Sequence, residues 1–248
     1  MKKHAFSAMV VLIAVLLLEG RAAAVTISEV ETVPPESEQV GAFEARFGVY
    51  TPHVDDEPAL KGATPYKDTF GNDSLFIFEF EVDWQFWRWP GGTLGVGGSI
   101  GYFQAYAKAQ SESGQESGDY TVLNVIPLRM PLVLRIDWFA RNPGIPIVPY
   151  GKIGLDYYVW WILDAGSVAS WNGKDGEGGT FGWHGGGGIM ILLDPLDTYA
   201  ARTFDNEVGV NNSYLFFEYY YADISNFGAS DAMYLGDDTW VAGLAIEF

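Results

Sequence analysis

The chain ends on a strand that alternates without a break. Counting back from the C-terminus, Phe248, Ile246, Leu244, Ala242 and Trp240 fall on one face. Glu247, Ala245, Gly243 and Val241 fall on the other. A side-chain period of two means a strand whose two sides meet two different surroundings. Seven earlier segments carry the same period: 41–51, 74–87, 93–107, 120–138, 147–163, 180–193 and 213–223. The clearest is 74–87, where Phe76, Phe78, Phe80, Val82, Trp84 and Phe86 alternate with Ile77, Glu79, Glu81, Asp83 and Gln85. Several segments exceed a usual soluble strand and reach the ~9–11 tilted residues that cross a bilayer.

The connections sort into two classes. Those at about 52–73, 108–119, 164–179 and 224–238 are long and polar, whereas 88–92 and 139–146 are short. An up-and-down barrel with both termini on one side has this long–short order. The connection 194–211 departs from it and predicts one or two helical turns, capped by Asp194 with Pro195 at the first position.

Alternation alone does not say which face is inside, since a soluble lipocalin-like barrel also alternates. Large apolar residues dominate one face of every segment, more than the small interior of about eight strands could hold. Aromatics gather near segment ends, at Trp84, Phe86, Trp138, Trp160, Trp161, Trp183, Trp240 and Phe248, which suits girdles at two lipid interfaces. The expected fold is all-β, a transmembrane antiparallel up-and-down barrel of about eight strands with a short helical turn on the terminal side.

The N-terminus has a basic start (Lys2, Lys3), an uncharged apolar stretch at 5–18 and the small residues Ala22-Ala23-Ala24. That is a secretory signal peptide, 1–24, since about 14 apolar residues fall short of the ~20 of a spanning helix. Residues 25–40 read as an acidic lead-in with Pro34-Pro35, and 41–248 as the barrel. The leader carries a net charge of +2 (Lys2, Lys3, Arg21, Glu19), so its removal takes the chain from −18 to about −20. Such a balance argues against nucleic acid as a partner, which needs clustered Lys and Arg. With no cysteine, disulfides and thiol chemistry are excluded.

With the apolar face turned to lipid, the other face lines the lumen. It carries Glu44, Glu79, Glu81, Asp83, Asp137, Asp156, Glu218 and Glu247, with Arg46, Arg129, Arg135, Lys152 and His184. Charge in a narrow bore is costly unless paired, so these residues are expected to form an ion network filling the barrel. The alternative is a carboxylate-lined path for small or cationic solutes. The glycines 185–188 give room for bulky neighbours or let the wall curve.

Catalysis finds little support. Ser99 and His184 share the lumen face, but nothing in their spacing brings them together, and no partner for His184 is legible. His53, Asp55, Asp56 and Glu57 in the first long loop are conceivable metal ligands, yet one His among loop carboxylates is usually a solvated loop. No catalytic residue, metal site or cofactor is expected.

On these residues, the mature chain resembles the small outer-membrane barrels of the OmpA, OmpX and OmpW kind. The stretch 181–217, with WHGGGG, LDPLDTYAAR and DNEVGVNNSYLFFEY, is similar to a myxobacterial-type family of outer-membrane barrels. The resemblance implies residence in the outer membrane of a Gram-negative cell with both termini periplasmic. Outer-membrane lipid, lipopolysaccharide, periplasmic chaperones and the barrel-assembly machinery would be its partners. The ending formed by Trp240, Leu244, Ile246 and Phe248 resembles the signal that this machinery reads. The implied role is structural, surface-binding or adhesive. A barrel-wall lipid hydrolase or acyltransferase is the remaining option.

Overall fold

The computed structural model describes residues 37–71, 75–110, 116–142, 144–171, 173–230 and 232–248. The leader 1–24 and residues 25–36 of the lead-in lie outside them. Eight long strands dominate: β1 (Gly41–Tyr50), β2 (Leu75–Trp89), β3 (Gly92–Gln110), β4 (Glu116–Arg135), β5 (Ile147–Asp164), β6 (Glu177–Leu192), β7 (Asn212–Ile224) and β8 (Asp237–Glu247). Each pairs antiparallel with its neighbours in sequence, and β8 returns to pair with β1, Ala42 opposite Glu247 and Gly48 opposite Val241. The sheet is therefore a closed eight-stranded antiparallel barrel with no free edge. Among the described residues no helix is long and apolar enough to cross a membrane.

The start of β1, the end of β8 and the β2–β3, β4–β5 and β6–β7 turns sit at one end, which we call the terminal end. The β2–β3 turn is the tight Pro90-Gly91 link. The β4–β5 link holds one helical turn, α2 (Trp138–Arg141), where the sequence suggested strand to 138. At the opposite end, β3 and β4 run on to Gln110 and from Glu116. A small hairpin, Ser170–Trp171 with Lys174–Asp175, extends β5 and β6. The described parts of two of the expected long loops, 108–119 and 164–179, are thus largely strand. Residues 51–71 form the largest described irregular segment and carry α1 (Pro65–Phe70). Its Tyr66 ring is buried, which pushes the phenol up to about 12.

The β6–β7 link contains a 3-10 turn at Asp194–Leu196 followed by an 11-residue helix, α3 (Thr198–Val208). Its cap is Asp197 and not Asp194: the Asp197 carboxylate accepts from the backbone N–H of Tyr199 (3.1 Å) and Ala200 (3.0 Å). Asp194 instead accepts from the Ser213 N–H (3.0 Å) and hydroxyl (2.7 Å), which ties the link to β7. Gly209, with φ 76°, closes the helix in the left-handed conformation.

The outer wall is apolar. Phe76, Val82, Ile100, Met130, Ile153, Phe217 and Leu244 are all exposed. Aromatics ring it at two heights. Trp84, Phe86, Trp138 and Phe248 stand toward the terminal end, and Trp183, Tyr219, Tyr221 and Trp240 toward the other. Tyr219 packs against Trp240 at 5.3 Å between ring centres and Trp183 against Tyr221 at 5.6 Å. Trp160 does not join either ring. It shares the inward parity of Asp156 and Tyr158, packs against the buried core and donates from Nε1 to the Thr180 hydroxyl at 3.3 Å. Adjacent Trp160 and Trp161 point to opposite faces, so one of them had to face in.

Candidate functional site: the barrel lumen

Strand parity brings charged side chains from five strands into the lumen, in layers set by the register. Nearest the terminal end, Arg135 of β4 forms a two-pronged pair with Asp83 of β2, at 2.9 and 2.7 Å, and reaches Glu44 of β1 at 3.0 Å. In the next layer Lys152 of β5 donates to Glu44 and to Glu81 of β2, both at 2.6 Å. Arg46 of β1 then donates to Glu44 at 2.7 Å and to Glu218 of β7 at 2.6 and 3.2 Å. The Tyr150 hydroxyl completes Glu218 at 2.8 Å. Glu44 therefore meets three cations from three strands. Arg135 and Lys152 cross the bore, and Arg46 pairs both along β1, with Glu44, and across to Glu218 of β7.

The last charged layer centres on Arg129 of β4. It donates to Glu79 at 2.5 Å and to the Tyr158 hydroxyl at 2.6 Å, with its guanidinium 4.4 Å from the centre of the Tyr220 ring. Asp156 is 3.8 Å from Arg129, accepts from the Tyr220 hydroxyl at 3.2 Å and shares a 2.5 Å contact with His184 Nδ1. These charged residues are all 0–8 % exposed. A bidentate Arg–carboxylate fork and multiply shared carboxylates are the geometry that offsets desolvation in so dry a space.

Two expected members sit elsewhere. Asp137 has the inward parity but lies in the β4–β5 turn at the mouth, where Arg141 of α2 pairs with it at 2.5 Å. Burial at this mouth raises its carboxyl above the ordinary value despite Arg141. The strand ends two residues earlier, so parity no longer carries the side chain into the bore. Glu247 also sits toward the terminal end, held by Gln85 (2.9 Å), Asn212 (3.1 Å) and the Tyr214 hydroxyl (2.7 Å). Around these residues opens a vestibule of about 710 Å³, bordered also by Arg88, Asp194 and Arg202. Ser37 and Gln39, the described end of the lead-in, line it too.

Toward the opposite end the lumen is apolar, which the sequence analysis missed. Tyr50, Ile77, Phe103, Leu123, Val125 and Tyr158 pack together with Leu235 from the β7–β8 loop. Tyr50 meets Phe103 edge-on at 4.6 Å and donates to the Leu235 carbonyl at 2.6 Å. The available signal was the loss of contrast between faces at 102–106 and 120–126, where neither parity carries a charge.

The glycines divide by parity. Gly186 faces in, and a Cβ there would stand 3.1 Å from Glu218 Oε1, so its bareness leaves room for that carboxylate. At Gly188 a Cβ would collide with the Phe217 carbonyl. Gly185 and Gly187 face out and meet nothing closer than ordinary contact.

Ser99 and His184 do not form a pair. The Ser99 hydroxyl is buried without a hydrogen-bond partner among the described residues, and His184 is engaged by Asp156. The first-loop acids also part company. Asp55 caps α1, accepting from the N–H of Tyr66 (2.7 Å) and Lys67 (2.9 Å), while His53 turns to Asp238 of β8 at 3.6 Å.

Of the ending, Trp240 and Leu244 face outward and exposed, and Ile246 is half-buried on the same face. Phe248 lies beside Gly41, its backbone closing the β1–β8 seam through Val40 N–H (2.6 Å), Gly41 N–H (2.9 Å) and the Gly41 carbonyl (3.0 Å).

No protein-family model and no curated protein matches this chain. Among solved structures it is similar to small outer-membrane barrels. The attachment invasion locus protein Ail of Yersinia pestis is 13 % identical, covering 86 % of this chain and 100 % of that one, with a TM-score of 0.39. Neisserial surface protein A is 11 % identical over 87 % and 100 %, with a TM-score of 0.44. The outer membrane protein OprG of Pseudomonas aeruginosa is 10 % identical over 86 % and 97 %, with a TM-score of 0.44.

Proposed function

We propose that this chain is an integral outer-membrane barrel with a closed lumen and a structural or surface-binding role. The observation that carries the reading is the filled bore. Ion pairs tie β1, β2, β4, β5 and β7 across it, and an apolar plug backs them. An exterior of exposed Phe, Trp, Ile and Leu over the whole wall suits only hydrocarbon, since a soluble protein does not leave so large an apolar patch in water. The long connections at one end, with the start of β1 and the end of β8 at the other, support a periplasmic terminal end. The narrower kinship rests on the stretch 181–217 alone. Lipid and lipopolysaccharide would contact the wall. The barrel-assembly machinery would read Trp240, Leu244, Ile246 and Phe248, and periplasmic chaperones would carry the chain there.

A second reading, a narrow path for cations, draws on one observation. The lumen carboxylates Glu44, Glu79, Glu81, Asp83, Asp156 and Glu218 outnumber Arg46, Arg129, Arg135 and Lys152. Single-channel recording in a planar bilayer separates the two. The closed-lumen reading expects no conductance above bare lipid. Steady cation-selective steps, lost when Glu81 and Glu218 become Gln, would establish the path instead.

A further inference from the structure

We propose that His53, Asp237 and Asp238 form a binding site for a first-row divalent metal ion of the zinc type, at the end of the barrel opposite the termini. The three side chains each offer a donor atom, and these atoms lie within 4.8 Å of one another. His53 Nε2 and Asp238 Oδ1 are 3.6 Å apart, close to the ~3.4 Å edge of a tetrahedron with bonds of ~2.1 Å to nitrogen and oxygen. An imidazole beside two carboxylates favours zinc and its neighbours over magnesium or calcium, which take oxygen alone.

The second observation is the state of Asp237. The residue is only 5 % exposed, yet its Oδ2 is buried with no hydrogen-bond partner among the described residues. An orphaned carboxylate oxygen in a dry place is costly, and a cation removes that cost. The other donors are placed for such a role. Asp238 keeps Oδ1 toward His53 while Oδ2 accepts from the Tyr219 hydroxyl at 3.0 Å, a support that orients the ligand. His53 and Asp238 are partly exposed, at 35 % and 52 % of their side chains, so an ion has an entry path from solvent. The backbone has already brought the segments together, with His53 N–H donating to the Gly236 carbonyl at 2.9 Å. Nearby Asp56 and Asp223 line a small adjoining hollow and add negative potential. A bound ion would pin the β1–β2 loop to the start of the closing strand.

The test is calorimetric titration of the full-length folded protein in detergent micelles with zinc chloride, beside His53→Gln, Asp237→Asn and, as a control outside the site, Asp68→Asn. Unboiled-gel mobility verifies that each variant is a folded barrel. The expected result is one zinc per chain, unchanged in Asp68→Asn and weakened at least about tenfold in both site variants. Because His53 is partly exposed, its variant tests the site even if Asp237→Asn fails to fold. Equal zinc binding in the parent and His53→Gln, or no zinc binding by the folded parent, overturns the proposal. Binding of calcium that ignores His53→Gln also overturns it, because the site would then be carboxylate alone.

Discussion

Lys152 sits where a single substitution is most telling. Its ammonium serves Glu44 and Glu81 together, each at 2.6 Å, in a buried layer. Replacing it by methionine keeps the packing, leaves Glu44 to Arg46 and Arg135, and takes from buried Glu81 its close partner, with Arg46 3.8 Å away. A barrel carrying Lys152→Met should lose ~3–5 kcal/mol of stability, and a Lys152→Met/Glu81→Gln pair should recover part of it. Urea unfolding in micelles measures both. A loss below ~1 kcal/mol would mean that water solvates the bore. Residues of this kind were legible one at a time, because parity alone puts Glu79, Glu81, Asp83 and Lys152 on one face. Their partners were not, because Glu44 meets Arg135 across 91 positions of sequence and a curved wall. The partner of His184 was not legible for the same reason: Asp156 is on the neighbouring strand, two residues off register from it.

Among the elements, β8 carries the closure. It pairs with β1 and so removes the final free edge, through the register of Ala42 with Glu247. Deleting Phe248 removes an aromatic anchor worth ~1.5–3 kcal/mol by burial. It also removes the backbone bonds to Val40 and Gly41. The deletion should yield far less heat-modifiable protein in the outer membrane than Phe227→Ala, a change at a 70 % exposed loop ring. Equal yields would show that the ending is no assembly feature. Helix α3 illustrates how local signals mislead. Asp194-Pro195 resembles a cap with proline after it, but the chain uses that aspartate to hold Ser213 and starts the helix at the next acid, Asp197. Propensity admits both starts; the contact with β7 chooses between them.

The barrel behaves as one hydrogen-bonded ring. Each of the eight long strands has two neighbours, so unfolding must break a ladder along its full length, and detergent at room temperature has no edge to attack. The folded protein should migrate faster in an unboiled gel than in a boiled one. Identical migration would contradict a closed barrel in solution.

From the order of its residues alone, the chain determined where its eight long strands lie and which residues share a face. Those are properties of neighbours at i and i+2, and a period of two survives any global arrangement. Tertiary structure alone decided which cation meets which carboxylate, why Asp137 stays at the mouth, and that Phe103, Leu123 and Leu235 plug the bore away from the terminal end. It also brought His53 to Asp237 and Asp238. The physical reason is that these contacts join positions tens to hundreds apart. They depend on how strands stagger around the ring and where loops fold back, which no local pattern encodes.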